Sequence, residues 1–190
     1  MALFVLTVGL LAAVDARSEV FHSRESALRL AFPDGESVET RTLVLDEAQS
    51  ARIAERAGAK LPSKIVRTYV GQRDGRVVGY AFIETHRVRS LPETVMVVVD
   101  AQGSIVGTHL LAFHEPKEYL PPERWLRQFD GEELDSELGL GRAISGIAGS
   151  TLTAQAVTAC VRRAAAIAEE CLVAPARTAA ADTASPVGTR

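Results

Sequence analysis

The segment from Lys64 to Phe113 alternates apolar and polar residues, and this alternation constrains the fold more than any other feature of the chain. Side chains at every second position share one face of a β-strand, whereas a helical face repeats every 3.6 residues. Turn sequences at residues 73–76 and 100–103 interrupt the alternation. The pattern therefore predicts two β-hairpins, over residues 64–84 and 94–113, and a central antiparallel sheet of about four strands.

Helical patterns lie on both sides of this segment. Residues 23–32 end at Pro33, which stops a helix, and Asp46-Glu-Ala-Gln resembles a capping box that starts a second helix ending near Gly58. A third helix, rich in Ala and Val, begins near residue 151. Its predicted buried face comprises Val157, Cys160, Val161, Ala164 and Ile167. The order of elements predicts an α+β fold in which helices flank the sheet.

Length and charge limit the domain count and the class of function. The chain has 190 residues, of which 47% are hydrophobic, and this suits one domain with a sizeable core. The formal net charge is −3, and Arg residues are scattered among Asp and Glu. Because no basic stripe is present to neutralise a phosphate backbone, we expect no binding of nucleic acid.

The two ends of the chain differ in composition from the segment between them. Residues 2–14 are largely apolar but fewer than the roughly 20 needed to span a bilayer. Residues 1–16 are interpreted as a signal peptide cleaved after Ala16 or as a short membrane anchor, with a buried helix as the third alternative. At the other end, Ala, Thr, Pro and Gly predict a disordered tail over residues 173–190.

The cysteines and histidines lack the local spacing of a metal or dithiol centre. Cys160 and Cys171 lie on nearly the same face of a helix but roughly 16 Å apart along it, too far for a disulfide, so two free thiols are predicted. Structural or solvent-exposed roles are expected for three of the four histidines, His22, His86 and His109. His114, which follows directly after the second hairpin, is the exception.

A glycine-containing turn at residues 145–151, Ser-Gly-Ile-Ala-Gly-Ser-Thr, leads into the third helix. The first amide N–H groups of a helix have no internal acceptor and carry partial positive charge, so this turn can hold a phosphate beside the Thr151 hydroxyl. Thr is also a common capping residue, and simple capping is the alternative.

Residues 20–171 resemble the FMN-binding domain family, typified by the covalent-flavin subunits of Rnf and sodium-pumping NADH:quinone oxidoreductase complexes. In that family a flavin transferase joins FMN through its phosphate to a Thr within a motif of an acidic residue, two variable residues, Ser or Thr, Gly, Ala and Thr. Gly149 and Thr151 match this motif, and Leu152 and Thr153 fit its continuation. The resemblance extends to residues 95–108, His114-Glu-Pro and residues 125–131.

The resemblance implies an FMN-binding domain over residues 17–172 with the flavin attached to Thr151. Three positions depart from the motif: Ser145 replaces the acidic residue, Ala148 replaces Ser or Thr, and Ser150 replaces Ala. Ser150 is expected to cap the helix or to donate to the phosphate. The departures keep open an alternative, a binding or assembly module of the same fold that has lost covalent flavin attachment.

The Pro-rich segment of residues 112–122 corresponds to a family segment that lies near the flavin. The resemblance implies that Glu115 meets the ribityl hydroxyls, that Tyr119 or Leu120 packs against the ring and that His114 can donate to reduced flavin. The alternative is that this segment only starts the short helix carrying Trp125 and Phe129.

The resulting expectation is an exported electron carrier rather than a stand-alone substrate-converting enzyme. Its cofactor is FMN, and its partners are a flavin transferase and membrane-associated redox proteins. The expected location is the periplasm or the outer face of the cytoplasmic membrane.

Overall fold

A computed structural model describes residues 19–34 and 36–184, with side chains up to residue 181. The elements, in chain order, are β1 (Glu19–Val20), α1 (Arg24–Ala31), β2 (Ser37–Val44), α2 (Glu47–Ala57), β3 (Ile65–Arg73), β4 (Arg76–Arg87), β5 (Pro92–Asp100), β6 (Ile105–Phe113), a 3₁₀ turn (Lys117–Tyr119), α3 (Glu123–Leu126), a second 3₁₀ turn (Arg127–Phe129), α4 (Thr151–Ala168), a π-helical turn (Glu169–Val173) and α5 (Ala174–Ala184).

The six strands form one antiparallel sheet in the order β1-β6-β5-β4-β3-β2. The α+β class and the helices flanking the sheet are confirmed, but the prediction of about four strands is wrong. The two predicted hairpins are β3–β4 and β5–β6, and the two edge strands lie outside the predicted strand segments. β1 has only two residues, and β2 is exposed along nearly its whole length, so neither strand carries the apolar alternation that reveals a half-buried strand.

Helix ends follow the capping signals in the sequence. The Ser23 hydroxyl accepts from the Ser26 amide at the start of α1. The Asp46 and Gln49 side chains form a reciprocal capping box at the start of α2, and Gly58 ends α2 in the left-handed conformation at φ 62°.

The larger hydrophobic core lies between one face of the sheet and the helices α2, α3 and α4. The predicted stripe on α4, Val157 to Ile167, is buried in this core, and Cys160 and Cys171 are free thiols as predicted. A smaller cluster on the opposite face packs α1 against Tyr69, Met96 and Leu111.

The C-terminal segment, for which a disordered tail is predicted over residues 173–190, is helical as far as Ala184. The chain continues from α4 through the π-helical turn into α5, which extends to Ala184. The Arg177 guanidinium ties this segment to the core by contacting Glu169 and the Gln102 carbonyl. The predicted signal peptide or anchor, residues 1–16, and the last six residues lie outside the described residues. Within the described ranges, no helix is both long enough and apolar enough to cross a bilayer.

Gly71 on β3 leaves the space that the Phe32 ring occupies at the end of α1. A methyl group at this position would overlap the ring, whereas one at Gly139 would meet nothing. We expect Gly71→Ala to lower the free energy of unfolding by about 1–3 kcal/mol because the ring must move. Gly139→Ala is the control, and denaturant melts measure both variants. An unchanged midpoint in Gly71→Ala would contradict the packing.

Candidate functional site

Thr151, the first residue of α4, is held at the surface by the turn that precedes the helix. Gly149 adopts φ 79°, a left-handed conformation that favours glycine. Ser150 occupies the N-cap position, and Thr151 is the first helical residue, so Thr151 is not the capping residue. Its side chain is exposed, and its hydroxyl has no hydrogen-bond partner among the described residues.

No side chain caps this helix start. The Ser150 hydroxyl donates to the Glu118 carbonyl at 3.2 Å instead, which corrects the expectation that Ser150 caps the helix. The first helical bond runs from the Ala154 amide to the Ser150 carbonyl. The amide N–H groups of residues 151–153 therefore have no acceptor among the residues described, and they make a ready site for an anion.

A cleft of 240 Å³ opens over this helix start. Its walls are Arg89, Tyr119, Gly149, Ser150, Thr151, Leu152 and Thr153. The structure thus brings Tyr119 together with the five predicted residues of the turn and helix. Thr153 is buried, whereas Leu152 leaves 47% of its surface exposed at the cleft.

Arg89 is the residue of the cleft that the sequence analysis missed. Its guanidinium carbon lies 5.0 Å from the centre of the Tyr119 ring, within cation–π distance. Arg89 comes from the β4–β5 turn, far from Thr151 in sequence, so only the fold places a positive charge beside the free amides. A basic residue in a hairpin turn was the only signal available in the sequence.

Glu115 organises the turn that carries Arg89. Its Oε1 atom accepts the amides of Arg89, Ser90 and Leu91 at 3.0, 2.7 and 2.8 Å. Burial alone would raise the pKa of the Glu115 carboxyl, but these three amide bonds and the nearby Arg89 charge lower it below its ordinary value. The structure gives Glu115 a positioning role, and Glu115 does not line the cleft.

His114 is also outside the cleft wall. Its Nδ1 lies 3.1 Å from the Pro92 carbonyl, and its backbone amide donates to the same oxygen. A carbonyl can only accept, so Nδ1 carries the proton and donates it. His114 therefore fixes the start of β5.

The turn of residues 145–149 is held from below by α3 and the 3₁₀ turn that follows. The Trp125 indole donates to the Ser145 carbonyl at 2.6 Å, and its ring packs edge-on against Phe129. The Gln128 side-chain oxygen accepts both the amide of Ser145, at 3.0 Å, and its hydroxyl, at 2.5 Å. Ser145, where the family has an acidic residue, is thus built into the scaffold of the turn.

Comparison with known proteins finds a relative among redox complexes, and no protein-family model matches the chain. The relative is a subunit of the Na(+)-translocating ferredoxin:NAD(+) oxidoreductase complex of Acetobacterium woodii. It is 29% identical over 119 residues, an alignment that covers 56% of this chain and 57% of the relative. The chain thus spans little more than half the length of the relative, and the similarity supports a weak relation to a redox-complex subunit.

The carboxylate of Glu115 generates a pH prediction. Because its pKa is lowered in the folded protein, the stability it contributes is present above the unfolded-state pKa and is lost as pH falls through the folded-state pKa. We expect Glu115→Gln to lower the free energy of unfolding at neutral pH by about 1–3 kcal/mol. Thermal melts should show the difference from wild type shrinking in acid.

The exposed neighbour Glu118 provides the matched control, since its side chain has no hydrogen-bond partner among the described residues. Glu118→Gln should leave the midpoint unchanged at both pH values. A Glu115→Gln midpoint equal to wild type at neutral pH would show that the charge of the carboxylate does not stabilise the turn.

Proposed function

We propose that this protein is an FMN-binding electron-transfer domain with its flavin phosphate seated at the start of α4. The observation that carries the proposal is the convergence of three free amides, the Arg89 guanidinium and the exposed Thr151 hydroxyl on one cleft. Amides at a helix start and a guanidinium are both preferred partners of a phosphate. The residues present therefore fit a flavin phosphate.

The apolar parts of the cleft fit the remainder of the cofactor. Leu152 is exposed and Tyr119 is partly buried beside it, and both offer apolar surface to an aromatic ring system. At 240 Å³ the cleft is smaller than the roughly 300–1,000 Å³ of most small-molecule sites. We therefore expect the isoalloxazine ring to stay near the surface, where a redox partner can reach it.

We further propose that Thr151 carries the flavin covalently. An ester forms between Thr151 Oγ1 and the FMN phosphate, and the chain gains the mass of FMN less one water. The hydroxyl suits this role because it is exposed and is not engaged in capping. Bound FMN supplies one- and two-electron chemistry, and the protein supplies position and charge.

The resemblance and the redox-complex relative support a proposal for the biological setting. We propose export to the periplasm or the outer face of the cytoplasmic membrane, modification there by a flavin transferase, and electron exchange with membrane-associated redox proteins. The rival function is a flavin-free binding or assembly module. The bonds of Ser145 to Gln128 favour the rival, because the position that the family reserves for a carboxylate serves the scaffold here.

Attachment at Thr151 is tested by co-expression with a flavin transferase. Denatured and washed wild-type protein should stay yellow and show the mass increment, since an ester survives unfolding. Thr151→Val should lose both while remaining folded, because Val keeps the branched shape and lacks the oxygen. Thr158→Val is the control: its hydroxyl lies on the same helix outside the cleft and donates to the Ala154 carbonyl, so its loss should leave the modification intact.

A colourless wild type would refute covalent attachment in the natural chain. Restoring the family motif with Ser145→Asp and Ala148→Thr then separates the causes. A yellow restored variant beside a colourless wild type would favour the flavin-free module. Gln128 must turn its amide so that its NH₂ group meets the new carboxylate, so both proteins are compared by melting temperature before colour is interpreted.

The role of Arg89 is tested with free FMN in the Thr151→Val background. Adding Arg89→Gln should weaken FMN binding roughly tenfold, equivalent to about 1.4 kcal/mol, because the phosphate loses its guanidinium partner. Flavin fluorescence titration measures the affinity. Arg87→Gln removes an Arg that is also exposed but lies outside the cleft, and it should leave the affinity unchanged. Equal losses in both variants would indicate a general charge effect only.

A further inference from the structure

A group of polar side chains is enclosed between the sheet and α4, apart from the cleft. Glu84 and His86 are two residues apart on β4 and share the face that α4 covers, and Glu93 on β5 is the cross-strand neighbour of His86. Cys160 and Arg163 meet them from α4. Glu93, Cys160 and Arg163 are buried, and His86 and Glu84 are partly buried.

Glu93 determines which nitrogen of His86 is available. His86 Nε2 lies 2.7 Å from Glu93 Oε1 and donates to it, an arrangement that also orients metal-binding histidines. Nδ1 points the other way and lies 3.2 Å from Glu84 Oε1. Nδ1 and Glu93 Oε2 are both buried without a hydrogen-bond partner among the described residues, an unusual condition for polar atoms.

One ligand atom from each of Glu84, His86 and Cys160 lies within 4.8 Å of the other two. Ligands at Zn²⁺ bond lengths of about 2.0–2.3 Å stand roughly 3–4 Å apart, so small side-chain movements would close the site. We propose that Glu84, His86 and Cys160 bind one divalent transition-metal ion, with Zn²⁺ the best match to a thiolate, imidazole and carboxylate set. The fourth position is left to water or to Glu93.

The charges of the cluster balance when a divalent ion is bound, although the positive charge of Arg163 is close. Arg163 contacts both oxygens of Glu84, with Nε 3.0 Å from Oε2, and each carboxylate oxygen retains a further lone pair. Two carboxylates and a Cys160 thiolate offset the charges of Zn²⁺ and Arg163, so the occupied cluster is neutral. Binding displaces the thiol proton of Cys160 and any proton on Nδ1.

Without a metal ion, the cluster can be neutral if His86 is protonated. Burial opposes protonation of His86, but the neighbouring Cys160, Glu84 and Glu93 raise the pKa of His86 to about 11. The charged imidazolium and Arg163 then offset the two carboxylates. This proton-held cluster is the alternative that an experiment must distinguish.

A path to the cluster exists, and it is separate from the flavin cleft. A cavity of 120 Å³ has Glu84 and Cys160 in its wall and reaches the loop between α2 and β3. Cys160 lies nine residues beyond Thr151, about 14 Å along α4. The ion and the flavin therefore do not compete for space.

Cobalt titration tests the proposal. Untagged, flavin-free protein is reduced, dialysed against a chelator and titrated with Co²⁺ while the near-ultraviolet spectrum is recorded. We expect a thiolate-to-cobalt charge-transfer band that saturates at one ion per chain and disappears when Zn²⁺ is added. Zn²⁺ should also raise the melting temperature, because it binds the folded state.

Cys160→Ala should abolish the band and weaken Zn²⁺ binding about tenfold or more. Cys171→Ala removes the other thiol of the chain and should leave both properties unchanged. If Cys160→Ala fails to fold, His86→Gln is measured instead, and Zn²⁺ binding should weaken to the same extent. A wild type that shows no saturating band, or a band that survives Cys160→Ala, overturns the metal site and leaves the proton-held cluster.

Discussion

The packing of α4 against the sheet is the contact on which the rest of the structure depends. The buried face of α4 carries Ala154, Val157, Val161 and Ala164, whose small side chains let the helix lie close to β4 and β5. Because the helix packs on these strands, its start lies by the β4–β5 turn, and its middle meets the last residues of β4 and the first residues of β5. The first contact creates the cleft, and the second encloses the polar cluster.

Glu115 positions the positive charge of Arg89 at the cleft that this packing forms. Without an acceptor, the amides of the β4–β5 turn would have to turn outward to water, and Arg89 would move with them. One buried carboxylate oxygen holds three of those amides and keeps the guanidinium over Tyr119. The cation beside Thr151 is therefore positioned from a different segment of the chain, and the charge of Glu115 also moderates the positive field at the cleft.

Sequence predicts those parts of the fold whose cause is local. Asp46 and Gln49 form a capping box between residues three apart in sequence. Strands β3 to β6 show the alternation of apolar and polar residues within each strand. Both elements can therefore be predicted without knowledge of the fold. Ser150 and Arg89 are different, because the partner of each lies at a distant position: the Glu118 carbonyl for the hydroxyl and the Tyr119 ring for the guanidinium. The Glu84, His86 and Cys160 cluster is missed for the same reason, since a strand and a helix separated by many residues assemble it.

Ser145 shows how a changed motif can keep its shape. A carboxylate at this position would face the Gln128 oxygen that now accepts two bonds, and like partial charges would repel unless the amide turned over. The serine satisfies Gln128 directly, so the turn keeps its path and still delivers Thr151 to the surface at the helix start. Compared with the flavin-attachment motif that the turn resembles, the turn thus lacks a charge but keeps the geometry. Under the proposed function, a flavin carrier and a flavin-free module would therefore differ in the chemistry of this turn, because the cleft itself is formed in either case.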